Sequence, residues 1–148
     1  MLFGDMTIIY SDTVSLTAKG FGDTIDITPD LERIAEASGV RNGIVTVFCQ
    51  GSTATVTTIE YEPGVVNDLK RALEKIAPSG IPYEHDKAWG DGNGFSHVRA
   101  ALMKPSLTVP MIDGKMTLGT WQQIVFIDFD NRPRKRKVVV QVMGVSQH

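Results

Sequence analysis

Residues 121–130, Trp-Gln-Gln-Ile-Val-Phe-Ile-Asp-Phe-Asp, constrain the fold more than any other stretch of the chain. Side chains on a β-strand alternate between its two faces. Here Ile124, Phe126 and Asp128 alternate with Val125, Ile127 and Phe129, so most of both faces are apolar. Such a strand has to be covered on both sides, either inside the subunit or by another subunit.

The flanking sequence supplies partners for it. Residues 106–112, the Asp113-Gly114 turn, 115–119, 121–130 and 134–143 read as a β-meander, Asp-Gly between extended runs being a strong hairpin signal. Residues 7–17 read as one or two opening strands and 24–27 as a short extended piece. Residues 44–49 read as a strand entered from an Asn42-Gly43 turn, and the Thr/Val/Ile-rich stretch 54–61 as another. About three helices intervene. The first has Thr28 as N-cap, Pro29 at its first position, Asp30 and Glu32 near the positive dipole end, Leu31, Ile34 and Ala35 on one face, and Gly39 as its stop. The second covers 65–77, burying Val65, Val66, Leu69, Leu73 and Ile76. Residues 84–94 read as a loop, and the third helix covers 95–103 and buries Phe95, Val98 and Leu102.

Length and charge bound the rest. The 148 residues, 42% hydrophobic and 22% charged, suit a single domain over 1–148 that folds without a disulfide or a metal. A formal net charge of -2 argues against nucleic acid or a membrane as partner. The only cysteine, Cys49, ends an apolar run and reads as a small buried hydrophobe; with one cysteine neither an intramolecular disulfide nor a Cys-rich zinc site can form. No signal peptide and no membrane-spanning apolar stretch is visible, so a cytoplasmic location is expected.

Four stretches together resemble the YjbQ family. They are Cys49-Gln-Gly-Ser-Thr-Ala54 leading to Glu60; Tyr83-Glu-His85; Asn93 with His97 four residues on; and Ser106-Leu-Thr-Val-Pro110, Gly114 and Leu118-Gly-Thr-Trp-Gln122, continuing into Asp128, Asp130 and Arg134. The likeness runs over residues 10–144. It implies an α+β, sandwich-like domain of antiparallel sheets that assembles as a homotrimer. It also implies a secondary thiamine-phosphate synthase activity, the joining of the two thiamine halves. Many members carry His-Thr-Ser/Thr-Ala where this chain has Gly51-Ser52-Thr53-Ala54, so Gly51 replaces the first motif histidine.

The resemblance brings His85 and His97 to one cavity, and imidazoles are common ligands of zinc and similar divalent ions. A firm metal site takes about three protein ligands. With Gly51 in place of histidine, the third would have to be Glu60, Asp86, Asp91 or a group from a neighbouring subunit. On the residues alone, His97 simply hydrogen-bonds from its helix and His85 lies in a polar loop. Glu60, flanked by Ile59 and Tyr61, reads either as a solvent-facing charge at a strand end or, since it matches a recurring family glutamate, as a partly desolvated group suited to acid/base work. Glu60 paired with His85 or His97 is the expected catalytic group.

Ser52, Thr53 and Ser106 are hydroxyls beside glycine or a strand start and are candidates to hold a phosphate or carboxylate, with Asn93 and Gln122 as further polar contacts. No Gly-x-Ser-x-Gly elbow is present, which argues against a serine nucleophile. Trp121 reads as structural; Trp89, in the polar loop, reads as a cover for the cavity. Of the run Arg132, Arg134, Lys135, Arg136 and Lys137, alternation puts Arg134 and Arg136 on one face. These charges read as an anion site or, preferably, as a solvated strand guarded against edge pairing. Two functions follow. One is a transferase acting on a small phosphorylated metabolite; the other is a non-catalytic small-molecule or metal-binding regulatory trimer. The first requires Glu60 to meet His85 and His97, within one chain or across a subunit contact.

Overall fold

The computed structural model describes residues 6–147. In chain order the elements are β1 (Ile8–Ala18), β2 (Asp23–Asp26), α1 (Thr28–Ser38), β3 (Asn42–Cys49), β4 (Ala54–Ile59), α2 (Pro63–Ile76), α3 (Glu84–Trp89), α4 (Gly94–Met103), β5 (Ser106–Ile112), β6 (Lys115–Met116), β7 (Gln123–Asp128) and β8 (Arg134–Val145). The strands form two antiparallel sheets, five-stranded β1-β8-β3-β5-β6 and three-stranded β2-β7-β4. The α+β, sandwich-like reading holds, with four helices rather than three.

β7 explains the layering. Ile124 and Phe126 join Val45, Val47, Val138 and Val140 of the large sheet in the main core, to which α1 adds Leu31, Ile34 and Ala35. On the other face, Val125 and Ile127 pack with Leu73 of α2 and Ala100 of α4. The doubly apolar strand is therefore covered on both sides inside one chain. It also leaves the expected meander: after the β5–β6 hairpin the chain crosses to the small sheet, pairs β7 with β2 and β4, and returns as β8 between β1 and β3.

Several local expectations are corrected. Thr28 lies inside α1 instead of capping it, and its hydroxyl bridges the backbone of β7 at Ile124. Asp26 accepts from the Thr28 N–H instead. Gly39 does end the helix, in the left-handed conformation. Asn42 and Gly43 belong to β3 and form no turn. Of the α2 stripe only Leu73 is fully buried, and Ile76 is exposed. α4 is rotated from the expected face: Phe95, Ser96, Arg99 and Ala100 face inward, while Val98 and Leu102 are exposed. Arg99 causes the rotation, since its guanidinium donates to Ala77 O at 3.0 Å and pairs with Glu74 at 2.7 Å, pinning α4 to the end of α2. Trp121 is 72% exposed, so it is not core in this chain. Among the described residues no helix is long and apolar enough to cross a membrane.

Candidate active site

Residues 84–94 are not a plain loop. Glu84–Trp89 form one and a half turns of helix, α3, stopped by Gly90 in the left-handed conformation. The Asp86 carboxylate then accepts from the Gly94 N–H at 2.9 Å, capping α4 from the preceding turn. Gly94 allows this fit: a Cβ there would lie 2.4 Å from that of Tyr83. The two short helices are thereby locked together. His85 from α3 and His97 from α4 meet with ring centroids 4.3 Å apart, tilted by 51°.

Beneath the imidazoles lies a buried ionic network. It comes from the end of β7, the start of β8 and the turn before β4. Arg136 grips Asp128 with two hydrogen bonds, Nε to Oδ2 at 2.7 Å and Nη2 to Oδ1 at 2.9 Å. Arg136 Nη2 also donates to the Thr53 hydroxyl at 2.6 Å. That hydroxyl donates to Asp130 Oδ2 at 3.1 Å, and Arg134 Nε reaches the same oxygen at 2.5 Å. Burial pushes the Asp130 carboxyl up, but the Asn131 backbone N–H, Asn93, Arg134 and Thr53 together outweigh it and hold the group below the ordinary carboxylate range. Asn93, also buried, donates to Asp130 Oδ1 at 3.2 Å, and its Oδ1 stands 3.1 Å from His85 Nε2. Asp91 Oδ1 is 3.3 Å from that same nitrogen.

A cavity of about 330 Å³ opens over this network, bordered by Ser52, His85, Trp89, His97 and Arg134. Arg136 Nη1 has no hydrogen-bond partner among the described residues. It lies on the cavity side beside Gly51, where a Cβ would approach it to 3.3 Å. Gly51, at φ +122, thus sets no side chain against this guanidinium edge. The His97 imidazole likewise makes no side-chain hydrogen bond among the described residues. The site therefore combines two guanidinium groups and two imidazoles with the carboxylates of Asp91 and Asp130; the arginines are paired with Asp128 and Asp130, and the free Arg136 Nη1 edge and the imidazoles are the groups left to meet an anion. Among the described residues no group of three or more His, Cys, Asp or Glu side chains is placed to hold a metal ion. His85 and His97 give two of the roughly three protein ligands that a firm divalent-ion site takes.

The expected residues divide into two sets. His85, His97, Asn93, Ser52 and Thr53 gather here. Thr53 and Asn93 are buried and engaged with the network, which makes them supports more than ligand contacts, whereas Ser52 is exposed at the rim. Glu60 is not part of the site within this chain. It is exposed at the far end of β4, seven residues beyond Thr53 or roughly 20 Å at the usual strand rise, so the expected desolvation is absent. Ser106 and Gln122 border a different groove between β4 and β5, and Gln122 spends its amide on Gly119 N–H and the Thr58 hydroxyl. Trp89, 77% exposed, stands at the rim of the His cavity as a cover would.

Sequence reasoning underrated Asp128, Asp130, Arg134 and Arg136. The alternation that puts both arginines on one face is correct. The solvated-strand reading fails at Arg136, which is buried, although residues 134–137 pair with β1 alone and the ladder to β3 begins only at Val138. Two acids four to eight residues upstream of the arginines, across a Pro-containing turn, were the available signal. Cys49 is buried as expected; burial, offset in part by Arg136 and reinforced by Asp128, pushes its thiol up to about 11.

Comparison with known proteins agrees with this architecture. The family profile described as "UPF0047 protein YjbQ-like" matches residues 12–145. A UPF0047 protein of Methanothermobacter thermautotrophicus is 39% identical over 136 residues, covering 92% of this chain and 93% of its own. UPF0047 protein YugU of Bacillus subtilis is 32% identical over 134 residues, covering 89% and 98%. Among solved structures, a YbjQ-like protein of unknown function from Sulfolobus solfataricus superimposes with a TM-score of 0.89 at 27% identity, covering 94% of this chain and 99% of that one. A YjbQ/UPF0047 family protein from Clostridium acetobutylicum gives 0.81 at 37% identity, covering 88% and 98%. The chain belongs to the YjbQ/UPF0047 family.

Proposed function

We propose that the His85–His97 cavity binds a small phosphorylated metabolite and promotes departure of its phosphate-bearing group, with thiamine-phosphate synthesis as the reaction. One observation carries this reading: Arg134, Arg136 Nη1, His85 and His97 converge on one cavity beside Gly51 and Ser52. Joining the thiamine halves breaks the C–O bond between the pyrimidine methylene and its diphosphate and forms a C–N bond to the thiazole nitrogen. Pyrophosphate leaves with the electron pair, and the nitrogen becomes cationic. Guanidinium groups suit the charge that grows on the leaving group, and an imidazolium can hydrogen-bond or protonate it. No base is needed at the attacking nitrogen, so this reading drops the expected requirement that Glu60 meet the imidazoles within one chain.

A homotrimer is part of the proposal, supported by the outer face of the large sheet. Ile9, Met143, Ile44 and Pro110 lie side by side across four strands, with Phe48 and Val139 paired two rows away. Ile9, Phe48 and Met143 are exposed although apolar. An uncharged apolar row on a sheet face suits burial against another copy. A neighbouring copy is also the way for Glu60 to reach the imidazoles, or for zinc or a similar ion to gain a third ligand. A cytoplasmic setting accords with phosphorylated substrates and a lone cysteine.

The test supplies purified protein with the pyrimidine diphosphate and the thiazole phosphate, with and without prior dialysis against EDTA. Product should form, and His97→Ala should lower the rate at least tenfold. Glu60→Ala loses activity only if a neighbour's Glu60 completes the site. No product above the buffer rejects the enzyme. A rise in melting temperature with these phosphates but without turnover supports instead the non-catalytic binding trimer, since a ligand of the native state stabilises it.

A further inference from the structure

Asn93 is buried, and its amide is clamped between two groups that leave it one orientation. One amide atom stands 3.2 Å from Asp130 Oδ1, the other 3.1 Å from His85 Nε2. An ionised carboxylate only accepts hydrogen bonds, so the atom facing Asp130 has to be the amide nitrogen and the atom facing His85 the oxygen. That oxygen in turn only accepts, so His85 Nε2 has to donate. Asp91 Oδ1, 3.3 Å from the same nitrogen, makes the same demand from the solvent side. A neutral imidazole carries one N–H, and with the proton on Nε2 the lone pair lies on Nδ1. No group among the described residues bonds His85 Nδ1.

We propose that Asp130, acting through Asn93, fixes His85 as the Nε2–H tautomer, so that Nδ1 is the atom with which His85 accepts a proton or binds a ligand. Asp130 and Asn93 are then positioning residues. The start of the relay is itself held: Arg134, the Thr53 hydroxyl and the Asn131 N–H all converge on the Asp130 carboxylate. His97 has no comparable partner, so the two imidazoles differ, one with a fixed proton and one free to take either form. The tautomer is a property of the protein without any ligand. Only its use in proton transfer rests on the function proposed above, and a test without substrate separates the two.

The test is long-range proton–nitrogen correlation NMR on protein carrying nitrogen-15 histidine, at alkaline pH where imidazole is neutral, with His85 assigned from the signals missing in His85→Gln. Wild type should show a protonated, pyrrole-type nitrogen at Nε2 and an unprotonated, pyridine-type nitrogen at Nδ1. Asp91→Asn, which changes only the exposed acceptor, should keep that pattern. Adding Asn93→Ala to Asp91→Asn should collapse it to a mixture of tautomers, with the His97 signals unmoved. If the double variant does not fold, Asp91→Asn with Asp130→Asn is read in its place, because an amide at 130 can donate and lets Asn93 turn over. An Nδ1–H tautomer in wild type overturns the proposal. So does a mixture in Asp91→Asn alone, which would make the exposed carboxylate the holder, or an unchanged Nε2–H pattern once the relay is cut.

Discussion

The two ends of the β4–β7 strand pair carry equally suggestive residues and are built on opposite principles. At the Thr53–Asp130 end the polar groups are buried and each is held by another. Arg136 holds Asp128, Thr53 bridges Arg136 to Asp130, and Asn93 passes the constraint to His85. At the Glu60–Gln123 end the polar groups stand in solvent and bond locally, Gln122 to Gly119 and Thr58, and Gln123 to the Tyr61 N–H. Motif residues occur at both ends and border cavities at both, but only at the Thr53–Asp130 end are the polar groups buried and bonded to one another. Burial with mutual hydrogen bonding, more than residue type, separates a site from a surface.

The largest effect that would break this contrast is at the buried ion pair. Asp128→Ala strands Arg136 in the interior and should destabilise the fold by about 3–5 kcal/mol, whereas Glu60→Ala at the other end should stay within about 0.5 kcal/mol. Urea unfolding of the two variants gives the comparison; equal effects would mean that the ends do not differ in kind.

Acid should act on the same end. The folded Asp130 carboxyl lies below its ordinary value, so its contribution is fully present above the unfolded carboxylate range and is lost as pH falls through the lower folded value. The urea midpoint of wild type should therefore fall with acidification more steeply than that of Asp130→Asn. Parallel curves would remove Asp130 from the account.

The smallest effect concerns Cys49, behind the network. Its thiol, pushed up to about 11, should resist alkylation in the native protein near neutral pH and react only on unfolding. Because the folded value is the raised one, the contribution is complete below the unfolded thiol range and declines as pH rises from there to about 11. Fast native alkylation would show that this end opens readily.

Much of the fold was legible because it rests on strong local patterns. The alternation of Ile124 with Val125 along β7, the Asp113-Gly114 turn and the Gly39 stop each name their own structure. The misreadings occur where a partner distant in sequence decides. Val98 and Leu102 look like the core face of α4 until Arg99 reaches Ala77 O and turns that face outward. α3 has no apolar periodicity; only its early acids, late lysine and Gly90 mark it. His85, His97 and Asn93 were visible as candidates through the family motifs. The acids beneath them were not, because the partners of Arg134 and Arg136 depend on how the turn at Pro133 folds back. That Glu60 lies away from the imidazoles within one chain was illegible for a related reason: a residue's distance from a site along a strand is set by pairing that no local pattern states.

The central claim is that the His85–His97 cavity is an anion site built by Arg134 and Arg136. Titration of inorganic pyrophosphate into Trp121→Phe protein, which leaves Trp89 at the cavity rim as the one tryptophan reporter, tests it directly. The account predicts saturable quenching that Arg134→Ala weakens at least tenfold. Binding of equal strength in Arg134→Ala, or no response at Trp89, would contradict it.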